Sequence, residues 1–565
     1  MKNNLSFKTE SIDQIIIPFR ICIGVTGHRQ ISDEKTISEK INRVLTEYIF
    51  ELFDKESYKI LSAVTNTPIA FSILTPLAEG ADRLVAKEVL KFPNSTIEAV
   101  LPLTKEDYLE DFTTQESRQE FEELVNQSRH PVTLKKQRLE DAYLPGDLAE
   151  ARRQAYEDVG RYIVDHCDVL IALWDEESSR GKGGTAEIAD YAEKRKRPLI
   201  IISANAPYEI SIHKGSGFST VPVSKIEMFN TYHIPERKES EYILNMYKQL
   251  FDNPEGEQLL EDTRALVKDI LLPFYVKASL IAKQNQRLYK YVGTSAYILS
   301  TAAIASVALG LLLHALSSYA FLLEFILLAI ILFSVTIANR RRTHKNWIES
   351  RFLTERIRSA IFLSVCGLEP TLIEVPPYMR AAHHPDAWMV KIFNEICNTL
   401  PQMKGWQEDN CFQCSQYVRK HWVDEQKRFH EGMMNKAGTL NNFLEQTGIV
   451  IFYCAMSAAL SHFILTYLYH TSQNVVLEKF LTFFALVLPA AGAAIGGIRS
   501  HREYSRTAKR SQHMKAVLED LAERFTYANS PKSLETLIRE TELLMLRETQ
   551  SWMMIMRFAE LEAVA

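Results

Sequence analysis

The chain has 565 residues and a formal net charge of −5, with 46% apolar and 24% charged residues. The acidic balance excludes a globally basic nucleic-acid binder, so no nucleic-acid partner is expected. Seven cysteines over this length make no disulfide framework, and a mean hydropathy of −0.12 averages over two unlike halves.

The start, MKNNLSFKTESIDQ, holds no apolar run of the signal-peptide kind. From there to residue 205 the pattern is α/β. Short β-branched runs appear at 21–25 (ICIGV), 69–75 (IAFSILT), 97–103 (IEAVLPL), 169–174 (VLIALW) and 198–203 (PLIIIS). Helical spacing fills the gaps; over 34–52 Ile37, Ile41, Val44, Leu45, Tyr48, Ile49 and Leu52 share one side. Alternating strands and helices predict a Rossmann-like parallel sheet covered on both faces. Such sheets bind ligands outside the carboxyl ends of their strands.

The residues at those ends carry chemistry. Gly24, Thr26, Gly27, His28 and Arg29 close the first strand, and Thr75, Glu79, Gly80, Asp82 and Arg83 follow the second. Beyond Trp174-Asp175 come Lys182, Gly183, Gly184, Thr185 and Glu187. Glycines let backbone N–H groups approach an anion, and the helix N-termini that follow favour negative charge. Arg29, Arg83 and Lys182 supply charge for a phosphate, while Asp82 and Glu187 are placed to accept from ribose hydroxyls. Neither GxGxxG nor a Walker loop is present, so nicotinamide redox and ATPase chemistry find no support. No catalytic residue, resident cofactor or metal is assigned.

In this order GVTGHR, LAEGADRL and GKGGTAEI resemble the SLOG superfamily of Rossmann-like domains, over about residues 17–205. The resemblance implies a site for a nucleotide-derived ligand, of the ADP-ribose or cyclic-nucleotide type. SLOG relatives include ADP-ribose-type sensors and the LOG phosphoribohydrolases. The latter carry PGGxGTxxE; here the Pro is missing and Glu187 stands two residues after Thr185 rather than three.

Residues 206–280 read as a connector. Two pairs of apolar stretches follow, at 292–314 with 319–338 and at 448–468 with 480–498. Each has about the 20 residues that an α-helix needs to cross a bilayer. Lys283, Arg287 and Lys290 precede the first pair, and Arg340, Arg341, Arg342 and Lys345 follow it. Arg499, Arg502, Arg506, Lys509 and Arg510 follow the second pair, whereas Lys479 is the one cation of its tip. The positive-inside rule then places both termini and the middle in the cytoplasm. The layout repeats: first hairpin over 281–370, cytosolic connector over 371–410 with Asp386 as a helix cap, second hairpin with cytosolic helices over 411–565. Cys411 and Cys414, near His421 and Cys397, have half the spacing of a zinc site and read as packing. Gly492 and Gly496 form a GxxxG surface one turn after Pro489, and Ser457, Ser461 and His462 give the third span polar groups.

The tandem hairpins resemble the SLATT class of two-helix membrane effectors in bacterial anti-phage systems. Together the resemblances imply a receptor-effector of the bacterial inner membrane that senses a nucleotide second messenger, acts on the lipid bilayer, assembles as a homo-oligomer and answers to a signal-producing enzyme encoded nearby. The alternative is a membrane-anchored nucleotide or nucleoside-monophosphate hydrolase.

Overall fold

The structure is a computed structural model that describes residues 16–53, 67–128, 131–144, 147–175, 184–216, 221–370, 387–401, 403, 411–468 and 475–557. The chain forms two compact units: Met1–His233 with Leu372–Gln402, and Ile234–Thr371 with Met403–Ala565.

The first unit is built on a seven-stranded sheet: β1 (Phe19–Gly27), β2 (Ile69–Thr75), β3 (Thr96–Leu101), β4 (Val132–Thr133), β5 (Val169–Trp174), β6 (Leu199–Ser203) and β7 (Ile210–His213). The strand order is β4-β3-β2-β1-β5-β6-β7, parallel except for the antiparallel β7. Five strands follow the apolar runs because a parallel strand covered on both faces buries every residue; β5 is buried from Val169 to Leu173. The short, partly polar β4 and β7 carry no such run. After β1 the chain moves outward through β2, β3 and β4, then returns to the other side of β1 for β5. The order of strands therefore reverses between β1 and β5, which opens a crevice at their carboxyl ends.

Helices cover this sheet, and two of them start at side-chain caps. Asp33 Oδ1 accepts from Thr36 N at 3.1 Å ahead of Glu34–Thr46, and Thr114 Oγ1 accepts from Ser117 N at 3.1 Å ahead of Gln115–Gln127. The helix expected over 34–52 ends at Thr46; a 3₁₀ turn, Tyr48–Leu52, takes over and still buries Ile49 and Leu52.

The unit continues past residue 205. Asn230, on the helix Val221–Thr231, exchanges hydrogen bonds with Ile17 (Oδ1 from N at 3.0 Å, Nδ2 to O at 2.9 Å). The segment read as a middle connector contributes the helix Ala387–Thr399, which buries Trp388, Met389, Ile392, Phe393 and Ile396. Its Glu395 forms a two-pronged ion pair with Arg20 at the start of β1 (Nε–Oε1 2.5 Å, Nη2–Oε2 2.8 Å). Lys391 Nζ adds bonds to the Arg20 carbonyl at 2.9 Å and Asp168 Oδ2 at 2.8 Å. Asp386, the expected cap, lies outside the described residues.

The second unit is helical. Among the described residues it contains four helices long and apolar enough to cross a membrane. In Ser317–Arg340 only 11% of the most apolar window is buried inside the protein, which rules out ordinary core helices. The two hairpins repeat more than composition. A π-helical turn, Val267–Leu271, leads into the long helix Leu272–Leu312, and a second, Arg419–Val423, leads into Asp424–Leu468. After each returning helix (Ser317–Arg340 and Val475–His501) one residue takes a left-handed conformation, Arg342 at φ 48° and Glu503 at φ 51°. Each then caps a further helix, Thr343–Val365 or Tyr504–Tyr527. The last helix is Pro531–Arg557, with Ser530 Oγ accepting from Ser533 N at 3.2 Å.

Close approach between the hairpins uses glycines other than the expected pair. A Cβ on Gly293 would fall 2.1 Å from His501 Nε2, and one on Gly497 would fall 2.2 Å from Tyr297 Cε1. Gly492 would make only ordinary contact with Ile451 at 3.6 Å, and Gly496 meets nothing within 4 Å among the described residues. Of the GxxxG pair, Gly496 thus lies on an open face of the fourth span, while Gly492 packs against Ile451 of the third.

Candidate functional site at the carboxyl edge of the sheet

The crevice is shaped by two glycines. Gly27 ends β1 where a Cβ would lie 2.5 Å from Ala81 Cβ and 2.9 Å from the Leu173 carbonyl. Gly80 has φ +82°, and a Cβ there would stand 2.4 Å from the carbonyls of both His28 and Arg29. Only glycine adopts that backbone without strain. The result is a tight junction: His28 N donates to Leu173 O at 3.2 Å, and Ala81 N donates to His28 O at 3.0 Å. The turn after β1 is thereby tied both to β5 and to the N-terminus of the helix Ala81–Val89.

Two side chains leave this turn. His28 Nε2 lies 3.3 Å from Asp175 Oδ1, just past β5. Arg29 is half exposed, its Nη2 3.6 Å from Asp111 Oδ2 and its guanidinium 5.8 Å from the centre of the Tyr156 ring. Asp111 is closely bonded as well by Arg152 Nη1 and the Tyr156 hydroxyl. Arg29 is the loosest of these three partners. It can turn to a phosphate while Arg152 continues to neutralise Asp111. Asp111, Arg152 and Tyr156 were not anticipated from the sequence; the one available signal is the four-residue spacing of Arg152 and Tyr156, which puts them on one face of the helix Leu148–His166.

Of the second loop, Thr75 is fully buried and its Oγ1 accepts from Leu77 N at 3.0 Å. Glu79 accepts a close hydrogen bond from the Ser117 hydroxyl. Asp82 is 5% exposed, and its Oδ2 accepts from Ala78 N at 3.1 Å. Burial pushes its carboxyl up from 3.8 to about 7, against the opposing pull of the Ala78 N–H, the Thr75 hydroxyl and the Arg29 and Arg83 charges. Arg83 points back into the domain. Its Nε donates to Leu77 O at 3.1 Å, its Nη1 donates to Glu120 Oε2 at 2.7 Å and Ser117 Oγ at 2.9 Å, and its guanidinium covers the Phe112 ring at 4.7 Å. Arg83 thus braces the loop through Nε and Nη1, while its Nη2 is buried with no hydrogen-bond partner among the described residues.

In the third loop Gly184 caps the helix Thr185–Lys194, accepting from Glu187 N at 3.0 Å and Ile188 N at 3.2 Å. Glu187 Oε1 lies 3.6 Å from Arg161 Nη2. Lys182 and Gly183 lie outside the described residues. Gly24, deeper in β1, packs against Ile163 and Cys167, and Thr26 pairs in register with Ala172 of β5. These two support the crevice from beneath. Among the described residues, the geometry therefore gathers His28, Arg29, Gly80, Asp82 and Asp175 near one edge, where the Arg29 side chain is half exposed and Asp82 is buried. Elsewhere, Cys414 Sγ donates to Val365 O at 3.7 Å, and no three potential metal ligands converge among the described residues.

Asp82 gives a pH prediction. Its native value exceeds the unfolded one, so the folded state holds the proton more tightly, and the stability present below about pH 4 is lost as pH rises to about 7. Asp82→Asn mimics the protonated form. Its stability should gain on the wild type between pH 5 and pH 8, on the order of 2–3 kcal/mol across that window, read as a rising melting temperature relative to the wild type. An equal gap at both pH values would show that Asp82 carries its charge at no penalty.

No protein-family model matches this chain, and no curated protein matches it.

Proposed function

We propose that the chain is a ligand-responsive membrane effector. The sheet unit binds a nucleotide-derived anion at the β1–β5 crevice, and binding changes the state of the membrane helices so that the bacterial inner membrane leaks, as an antiviral response. On this reading the chain is a SLOG-type sensor joined to tandem SLATT-type hairpins, with sheet and termini in the cytoplasm, and it works as an oligomer. The observation that carries it is the cradle at the strand-order reversal, where Gly27 and Gly80 bring backbone close and Arg29 is left half exposed. The duplicated hairpins favour an output in the bilayer, since one span suffices to anchor an enzyme.

The test uses the full chain, because the sheet unit includes Leu372–Gln402. Thermal shift with AMP, NAD, ADP-ribose and cyclic dinucleotides should reveal a stabilising ligand. Arg29→Gln should then weaken it by about 2–5 kcal/mol while leaving the unliganded melting temperature unchanged. Dye-loaded liposomes carrying the protein should leak when that nucleotide is added, and Gly497→Leu, which drives into Tyr297, should blunt the leak. Sealed liposomes at saturating ligand would leave the spans a purely anchoring role.

The hydrolase reading draws on Asp82, whose raised carboxyl has the proton affinity of a general acid. Release of free base from AMP, or of nicotinamide from NAD, by the wild type but not by Asp82→Asn would establish it and sink the sensor.

A further inference from the structure

The helical unit holds a cavity of about 500 Å³. Four helical segments wall it: the start of Leu272–Leu312, the body of Thr343–Val365, the helix Glu236–Phe251, and the π turn Arg419–Val423 with the first residues of Asp424–Leu468. This is well within the range of pockets that enclose small ligands, about 300–1,000 Å³. π turns recur at functional sites because the extra residue re-aims its neighbours. Here the turn presents His421 and Trp422 to the cavity.

The lining has two chemical components. Aromatic side chains come from Trp347, Trp422, Tyr275, Phe362 and Phe429; Phe362 and Trp422 are buried and stack on each other with centroids 4.8 Å apart and planes 8° apart, whereas Phe429 is 46% exposed. The charges are unequal, four cations (Lys283, Arg351, Arg358, Arg428) against two carboxylates (Glu355, Glu425). Arg351 and Arg358 both turn to Glu355, at 3.8 and 2.8 Å. Lys283 makes no ion pair, and Arg428 makes only a 3.4 Å bond to the Asp424 carbonyl, among the described residues. Positive charge thus remains beside aromatic faces, an arrangement that suits a negatively charged ring compound.

Distance along the helices separates this ligand from lipid. Tyr275 to Gln286 precede the apolar stretch that begins at Val292 by 6 to 17 residues, about 9–26 Å of helix. Glu425 to Phe429 precede Gly448 by 19 to 23 residues, about 28–35 Å. A headgroup layer reaches only about 5–8 Å beyond the hydrocarbon. The occupant therefore comes from the aqueous phase.

We propose that this cavity is a second binding site, for a soluble aromatic anion of the nucleoside-monophosphate class, with the ring against the exposed Phe429 and the charge met by Lys283 and Arg428. The site is independent of the sheet crevice.

The test is photolabelling of the full chain in nanodiscs of neutral lipid with 8-azidoadenosine 5′-monophosphate, followed by peptide mapping. Label is expected on peptides covering 347–362 or 421–429. AMP should protect them, and adenosine or inorganic phosphate at equal concentration should not. Lys283→Gln with Arg428→Gln should cut this labelling about tenfold, while Arg29→Gln should leave it unchanged, which separates this site from the crevice. Absence of label on these peptides at millimolar probe would overturn the proposal, as would equal protection by adenosine or protection by phosphatidylglycerol in place of AMP. If the double variant melts below the wild type, the competition among AMP, adenosine and phosphate in the wild type decides the matter.

Discussion

Glu395→Ala should destabilise the sheet unit by about 3–5 kcal/mol, the usual consequence of stranding a buried charge. Arg20 and Glu395 are 9% and 5% exposed, and they meet through two parallel N–H···O bonds. Arg20 Nη1 also donates to the carbonyls of Phe71 at 2.7 Å and Asn94 at 2.8 Å, so it is fixed at the start of β1 and largely withdrawn from water. Removing the carboxylate leaves the guanidinium with neutral acceptors alone. Lys391, bonded to the Arg20 carbonyl and to Asp168, would have to hold the helix Ala387–Thr399 with much less help. The measurement is the urea midpoint of the full chain in detergent, followed through protection of sheet peptides from proteolysis. Arg20→Met combined with Glu395→Met should fall between the wild type and Glu395→Ala, because the double change removes the charge as well as its partner. A single variant indistinguishable from wild type would mean that the pair is solvated in solution.

Gly80→Ala is expected to cost about 2–5 kcal/mol, from a left-handed backbone that alanine adopts poorly and from overpacking. The added methyl would lie 2.4 Å from two carbonyl oxygens, those of His28 and Arg29, and backbone atoms cannot rotate away as a side-chain end can. The relief is a shift of the turn that aims Arg29, so stability and ligand affinity should fall together. Gly496→Ala, whose methyl would meet nothing within 4 Å, is the matched control and should melt within a degree or two of the wild type. A Gly80→Ala protein with normal melting and undiminished binding would remove the cradle as an explanation.

What the sequence disclosed depended on how local the signal was. Ile21 to Val25 and Val169 to Trp174 announce buried parallel strands by composition, and the four spans do so by length. β7 takes its place by pairing with β6, a relation that four half-exposed residues do not encode. The helix Ala387–Thr399 shows its apolar side in Trp388, Ile392 and Ile396, yet nothing near it names its partner, because Arg20 is 375 residues away in the chain. In the site, the glycine turns are legible since backbone geometry restricts residue choice at Gly27 and Gly80. Arg83 looks equivalent to Arg29 on paper. Three positions into its helix, however, it faces Glu120 and Phe112, and only the fold decides which way a helical side chain turns. Asp111 follows the opposite pattern: an unremarkable acid in sequence, it becomes the hub for Arg29, Arg152 and Tyr156 when the segment after β3 folds over the edge.

The interrupted chain path of the sheet unit sets a timetable for biosynthesis. When His233 leaves the ribosome all seven strands have been made, but Arg20 still lacks Glu395, and the hydrophobic bed for Trp388 and Phe393 is still uncovered. The missing piece arrives about 160 residues later, which at about 5–20 residues per second is roughly 8–30 s of translation. In that interval the whole first hairpin is synthesised. The nascent sheet thus waits, unfinished, until the first pair of spans is available for insertion, so a polypeptide truncated before residue 387 yields a poorly closed domain that proteases can clear.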